Sequence, residues 1–213
     1  METELKLAFA SKEDMDRLWK DPVFSSFVIP ESEKEELCET VYYDSDHHLL
    51  REKGASLRVR AIRDNGYIHT IKCKADVKSG LHQRYEWNWE TDESVFSAKA
   101  FGEHAISNGD PESILYGLLK EIRDIELAEL FRTVFSRISF LTGYGDSLLE
   151  IAIDYGVIRA NDQEDSICEM EIELKEGDVR DVIALGDEIL SHSSAVLNSR
   201  SKYSRGFDLL KKV

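Results

Sequence analysis

The sequence predicts an α+β protein in which roughly eight or more antiparallel strands close into a barrel, with a charged interior and helices packed on its outside. Two observations carry that expectation. Charged side chains recur at every second position in segment after segment, which on a strand sets them on one face about 7 Å apart, and each segment favours one sign. Apolar stripes at helical spacing elsewhere need a surface to bury, and the uncharged faces of the same strands supply it.

The chain opens Met-Glu-Thr-Glu-Leu-Lys-Leu, so Glu2, Glu4 and Lys6 share one strand face while Thr3, Leu5 and Leu7 take the other. Ser11 to Asp14 reads as a helix N-cap before Met15, Leu18 and Trp19, with Pro22 closing a short helix. A second strand is expected over Leu37–Tyr43, then a polar turn from Asp44 through His47 and His48. Adjacent histidines in a polar turn point apart, and both read as exposed. Arg58 and Arg60 then alternate around Val59, and Asn65-Gly66 signals a tight hairpin. The return strand carries Lys72 and Lys74 around Cys73. Four cations on paired strands repel one another unless an anion or facing carboxylates neutralise them.

Arg84 and Glu86 alternate with Tyr85, Trp87 and Trp89, whose indoles read as outward packing. Residues 91–109 read as polar and irregular. Asp110-Pro111-Glu112 reads as a cap and first turn, followed by the stripe Ile114, Leu115, Leu118, Leu119, Ile122 and Ile125. Arg132 and Arg137 lie on or before a strand of open phase, and Arg132 reads as a surface residue. Glu150 and Asp154 share a face opposite Ile151, Ile153 and Tyr155; Glu169, Glu171 and Glu173 oppose Met170, Ile172 and Leu174. Asp178 caps a helix carrying Val182, Leu185, Ile189 and Leu190, and the chain closes with Ser201-Lys202-Tyr-Ser-Arg205-Gly206-Phe207.

A merely solvated face intersperses signs, because like charges opposite each other destabilise a strand pair. Sorting them implies an interior made for an ionic ligand. Carboxylates are hard oxygen donors for Mg²⁺ or Mn²⁺, while lysines and arginines hold anions. With 27 Lys and Arg against 42 Asp and Glu, the net charge of −15 repels polynucleotides and anionic membranes, so neither is an expected partner. A length of 213 residues suits one domain over 1–213. No leader segment is evident, and no stretch approaches the ~20 apolar residues of a membrane span. Cys38, Cys73 and Cys168 show no Cys-x-x-Cys spacing, which suits buried thiols and a cytoplasmic protein. Gly143-Tyr-Gly145 lacks the third glycine of a dinucleotide loop, and neither a Walker motif nor His-Glu-x-x-His occurs.

Several motifs in order carry a family resemblance: Glu-x-Glu-x-Lys at the start, Tyr42-Tyr43-Asp44, Leu57-Arg58-Val59-Arg60, Thr70-Ile71-Lys72-Cys73-Lys74, Arg84-Tyr85-Glu86, Glu150 to Gly156, and Glu169 to Gly177. Together they resemble the CYTH superfamily, the triphosphate tunnel metalloenzymes, from Glu2 to Lys202, and look most like its bacterial inorganic triphosphatases. The resemblance implies an eight-stranded antiparallel tunnel that binds a triphosphate and a divalent metal. A helical CHAD domain often follows that tunnel and is not expected in a chain of this length. Trp87-Asn88-Trp89 departs from the acidic alternation often seen after the Arg-x-Glu strand.

By resemblance, Glu2, Glu4 and Glu171 hold a first metal, Mg²⁺ or Mn²⁺; Glu150, Asp154 and Glu169 serve a second metal or its water, and Glu173 belongs to the acidic set. Lys6, Arg58, Arg60, Lys72, Lys74, Arg84, Arg137, Lys202 and Arg205 hold the phosphates, Arg137 on the family's expected place alone. Glu4, Lys6, Glu150, Asp154 and Glu169 are the expected catalytic groups. The implied reaction is hydrolysis of tripolyphosphate to pyrophosphate and phosphate. Its alternatives are a thiamine-triphosphatase or other organic triphosphate hydrolase, a class IV-type adenylate cyclase, and a noncatalytic polyphosphate-binding module. Oligomeric state stays open.

Overall fold

The computed structural model describes residues 1–25, 27–62, 66–78, 81–109 and 113–211. β1 (Glu2–Ala8) follows the expected alternation, with Leu5 and Leu7 buried outward. α1 (Lys12–Trp19) starts where the Ser11 hydroxyl accepts from the Asp14 amide at 3.2 Å. Pro22 does not close the segment but opens a second short helix, α2 (Pro22–Ser25), as suits a residue with no amide hydrogen to donate. β2 (Lys34–Asp44) begins before the expected Leu37, because its exposed first residues pair with the long β6 described below.

His47 is exposed as expected, but His48 is half-buried, its ring T-shaped to that of Phe207 with centroids 4.8 Å apart, and a left-handed backbone (φ 55°) leads into α3 (Leu49–Glu52). β3 (Ala55–Ile62) and β4 (Gly66–Lys78) form the antiparallel pair expected of the hairpin; residues 63–65 of its turn lie outside the described residues. β5 (Leu81–Thr91) follows. Residues 91–109 are not irregular throughout: α4 (Ala98–Ser107) forms there, capped by the Ser97 hydroxyl and burying Phe101 and Ala105. The cap expected at 110–112 lies outside the described residues. In α5 (Ser113–Ile122) the buried stripe is Leu115, Leu118, Leu119 and Ile122, whereas Ile114 is exposed and Ile125 lies past the helix.

β6 (Ala128–Tyr144), β7 (Ser147–Ala160) and β8 (Gln163–Glu176) complete the main strands. α6 (Val179–His192) is capped by the Asp178 carboxylate as expected, β9 (Val196–Leu197) is a two-residue edge on β1, and α7 (Lys202–Leu210) begins at the Ser201 cap. Strand order runs β5-β4-β3-β2-β6-β7-β8-β1, and β1 also pairs with β5, so eight antiparallel strands close into a barrel with β9 added.

Two of three apolar clusters lie outside the barrel wall. Leu5, Leu7, Ile151 and Ile172 meet Val182, Leu185 and Ile189 of α6; Leu57, Ile71 and Trp87 meet Phe101 of α4 and Leu115 of α5. Full burial of each such side chain contributes roughly 1.5–3 kcal/mol, which is what holds the helices to the sheet. The third cluster is different. Phe131, Phe135, Ile158 and Ile167 share the inward phase of Arg137, Asp154 and Glu169, and they pack on Phe207 and Leu209 of α7. Not every helix is therefore outside: α7 packs against the inward side of β6, β7 and β8 and stoppers one end of the tunnel. Gly206 permits this approach, since a Cβ there would collide with the Phe131 ring.

Candidate functional site

The lumen is a cavity of about 220 Å³ with two opposed walls. Alternation along β3, β4 and β5 turns Arg58, Arg60, Lys72 and Arg84 inward, and alternation along β1, β7 and β8 does the same for Glu4, Asp154, Glu169, Glu171 and Glu173. Register then stacks like charges: Asp154 lies opposite Glu169, and Glu173 lies opposite both Glu4 and Glu150. Such pairs repel, and a cation bridges Asp154 to Glu169 and another bridges Glu150 to Glu173.

Lys202, delivered by the first turn of α7, is the deepest bridge. Its Nζ lies 2.6 Å from Asp154 Oδ2 and 3.0 Å from Glu171 Oε1, and it also donates to Glu169. Arg137 forks onto Asp154 at 2.7 Å through both nitrogens and reaches Glu171 Oε2 at 2.7 Å. Lys6 pairs with Glu171 and lies 3.3 Å from Glu4 Oε1. Arg205 donates to Asp165 at 2.9 Å and to Glu169 at 3.3 Å. Nearer the other end, Lys175 ties Glu150 (3.0 Å) to Glu173 (3.1 Å).

Burial works to raise the carboxyls of Asp154 and Glu171, but Arg137 and Lys202 around the first, and Lys202, Lys6 and Arg137 around the second, outweigh it and hold both below the ordinary range. Glu4 is lowered in the same way, with Lys6 as the main cation against its burial. Glu2 goes the other way. Burial pushes it up to about 7 despite Lys72, and the neighbouring Glu4 and Glu86 add to the rise. Lys72 sits between the two carboxylates, 2.8 Å from Glu2 Oε2 and 2.8 Å from Glu86 Oε2.

The two walls differ in how far their charges are met. On the basic wall the Arg58 Nε is buried without a hydrogen-bond partner, and Arg60 donates only to Thr40 Oγ1 at 3.2 Å, with no ion pair among the described residues. On the acidic wall the buried Glu4 Oε1 has no hydrogen-bond partner and is met by ion pairs alone, from Lys6 at 3.3 Å and Arg84 at 3.6 Å. A buried donor without an acceptor costs ~1–3 kcal/mol, so the basic wall is built for an anion that meets it. Oxygens of Asp154, Glu169 and Glu171 lie within 4.8 Å of one another, gathered around the Lys202 ammonium that donates to all three; hard oxygen donors of this kind are those a divalent ion takes.

Of the expected site residues, Glu2, Glu4, Lys6, Arg58, Arg60, Lys72, Arg84, Arg137, Glu171, Glu173 and Lys202 line this cavity. Asp154 and Glu169 lie behind Lys202, fully buried. Glu150 stands beside Glu173 and is not among the three clustered carboxylates; Arg205 meets the cluster at its edge. Lys74 is not brought into the lumen: it is exposed and lines a neighbouring chamber. Arg132 pairs with Glu129 on the surface, as expected. The sequence reading gave no site role to Tyr42, Ser56, Glu86, Asn88, Lys175, Ser201 and Tyr203, which also line the lumen, nor to His82, whose Nδ1 accepts from Arg84 Nη2 at 2.6 Å. Lys175 and His82 continue the alternation of Glu173 and Arg84 and were findable by phase; Tyr203 comes from a helix and was not. Asn88, in place of an acid, accepts from Thr70 Oγ1 (2.6 Å) and donates to Glu86 Oε1 (3.0 Å). Cys38, Cys73 and Cys168 are free thiols. No helix among the described residues is long and apolar enough to cross a membrane.

Residues 1–207 match the CYTH domain family. The inorganic triphosphatase of Haemophilus influenzae is 30% identical over 208 residues, which are 97% of this chain and 54% of that protein, so the chain spans about half the length of this curated relative. HpAC1 of Hippeastrum, a candidate adenylyl cyclase that reveals a dominant triphosphatase activity, aligns over 99% of this chain and 95% of its own at TM-score 0.61 and 18% identity. A Pyrococcus horikoshii OT3 protein aligns over 100% of both chains at TM-score 0.58 and 18% identity. At that identity the two structures bear on the fold alone. The family match runs over nearly the whole chain and coincides with the closed barrel and its sorted walls: the chain belongs to the CYTH domain family.

Proposed function

We propose that residues 1–213 form one CYTH domain that hydrolyses inorganic triphosphate to pyrophosphate and phosphate with Mg²⁺ or Mn²⁺. The observation that carries this reading is the unmet demand of Arg58 Nε and Arg60 on one wall of a cavity whose other wall presents the carboxylates Glu2, Glu4 and Glu171. A polyphosphate satisfies the first, and the carboxylates offer oxygens to a divalent ion that accompanies it. The triphosphatase relative supports the same substrate class. The free thiols suit a reducing, cytoplasmic setting.

Glu2, Glu4 and Glu171 would hold the ion, with Asp154, Glu169 and Glu173 as further oxygen donors. Bound there, it would offset charge on the phosphate oxygens. Arg58, Arg60, Lys72, Arg84 and Arg137 grip and align the phosphates, arginine by its fork and lysine as a compact charge. Lys6 and Lys202 keep the acidic wall from repelling the incoming anion. Asp154 and Glu169 are the carboxylates proposed to orient the attacking water; Glu150 and Arg205 act at the margins, through Lys175 and Glu169 respectively. Because the transferred group needs little covalent help, positioning and charge supply most of the rate.

Phosphate release from tripolyphosphate, ATP, thiamine triphosphate and pyrophosphate, each with Mg²⁺, Mn²⁺ or chelator, tests the reading. Metal-dependent release that favours tripolyphosphate is the expected result. Preference for an organic triphosphate would replace the substrate, and no release from any would turn the weight to a binding module.

A further inference from the structure

Beside the lumen lies a second chamber of about 420 Å³, and the two share Ser56, Lys72, Arg84, Ser201 and Tyr203 as lining. It exists because α7 packs on β6, β7 and β8 and leaves the β3–β5 side of that tunnel end uncovered. Its charge differs in kind from that of the lumen. Arg51, Lys72, Lys74 and Arg84 contribute cations, and no carboxylate is among its lining residues. Lys74 is exposed and has no ion pair among the described residues, and the buried Tyr203 hydroxyl at the boundary has no hydrogen-bond partner among them. His82 is buried in the same wall. Its Nε2 faces the Asn198 carbonyl at 3.4 Å while its Nδ1 accepts from Arg84, an arrangement that keeps the imidazole from adding a competing acid or a fifth cation.

A chamber with cations and no carboxylates binds a phosphate without offering a site for a metal. We propose that it is a metal-free phosphate subsite, which takes the outlying phosphates of an inorganic polyphosphate longer than three units threaded past Lys72 and Arg84. The proposal rests on the lumen's being a polyphosphate site. Free orthophosphate is the other source of the same chemistry. Lys74 reads out this chamber, since it alone of the two strand lysines stands outside the lumen.

Titration calorimetry in chelator, where no turnover intervenes, compares wild type with Lys74→Glu and Lys74→Ala against orthophosphate, linear tripolyphosphate and a linear polyphosphate of defined greater length. Reversing one such charge is expected to weaken the longer chain by roughly fivefold while tripolyphosphate changes by less than about twofold. Equal affinities for the two chain lengths, together with orthophosphate binding alongside bound tripolyphosphate that Lys74→Glu abolishes, would support the subsite with free phosphate as its occupant. An equal loss for both chain lengths would return Lys74 to the triphosphate set and overturn the proposal, as would no change with any of the three anions. Failure of wild type to bind tripolyphosphate in chelator and again with added Mg²⁺ would instead sink the reading of the lumen, with the orthophosphate arm still deciding the chamber.

Discussion

Replacing Lys202 by methionine keeps an unbranched side chain one atom shorter and deletes one ammonium. That ammonium touches three carboxylates whose side chains are 0%, 1% and 12% exposed, so the deletion strips a cation from a cluster that water cannot rescue. Arg137 and Lys6 still serve Asp154 and Glu171, but Glu169 keeps only Arg205 at 3.3 Å and an Asn198 amide at 3.3 Å. Breaking a buried charge set in this way costs about 3–5 kcal/mol, because the remaining charge stays desolvated. At ~2–4 °C per kcal/mol for a chain of this size, the Tm falls by about 6–20 °C.

The pH dependence has a definite sign. Asp154 and Glu171 titrate below their ordinary values in the folded protein, so their stabilisation is present above the unfolded carboxyl range and is lost as pH falls through the folded values. Without Lys202 those folded values rise, so the deficit is greatest at neutral pH and shrinks toward pH 4, where protonation removes the unpaired charge. Thermal unfolding followed by circular dichroism in chelator, across pH, measures this. Added Mg²⁺ is expected to raise the Tm of Lys202→Met more than that of wild type. A loss below about 1 kcal/mol at neutral pH, the range of an exposed ion pair, would refute the reasoning, and so would a deficit that grows in acid.

Glu4→Gln keeps the shape of the buried side chain and is expected to abolish phosphate release with the fold intact by circular dichroism; an active variant would remove Glu4 from the mechanism. Gly156→Ala puts a Cβ 2.5 Å from the Phe135 Cα of the paired strand, and since backbone cannot step aside the expected loss is about 1–3 kcal/mol, read as a lower urea midpoint with unchanged slope. Burial first, and Arg84 second, hold the His82 imidazole down to about 4, so by NMR it stays neutral down to about pH 5, and Arg84→Met moves its titration part-way back toward 6.5. Because this is a base with a depressed folded value, its contribution to stability is present above pH 6.5 and is lost as pH falls toward 4; a ring already charged at pH 6 would contradict the buried, acceptor role at Nδ1.

Strand phase was the legible part of this molecule. Glu2, Glu4 and Lys6, then Arg58 and Arg60, then Glu169 to Glu173 all turn inward as period-two alternation requires, and the outward Leu5, Ile71, Trp87 and Ile172 cover the places where helices bind. Depth was not legible. Lys72 and Lys74 are identical in phase, and only the position of the stopper decides that one faces the lumen and the other a side chamber. Glu150 and Asp154 likewise share a face and differ by two same-face steps along the tunnel, which puts the first with Lys175 and the second with Lys202. α4 escaped detection because its buried set is small, with Gly102 sitting between Phe101 and Ala105, so no wide apolar stripe marks it. The inward helix α7 escaped for another reason. Its apolar residues satisfy strand faces that the alternation marks as interior, and a rule that sends interior faces to solvent or ligand has no place for a helix there.

The strand that seals the barrel is also the one that carries Glu2, Glu4 and Lys6, for β1 hydrogen-bonds to β5 on one side and to β8 on the other. Lys6 and Glu171, which this closure joins, are 165 residues apart in sequence. Loop entropy has to be met before so distant a contact returns anything, and non-local β pairing of this kind is typically a slow step. Until β1 is in place the lumen lacks Glu2, Glu4 and Lys6. Joint binding of a divalent ion and a polyanion by a refolding chain would therefore report that the ring has shut.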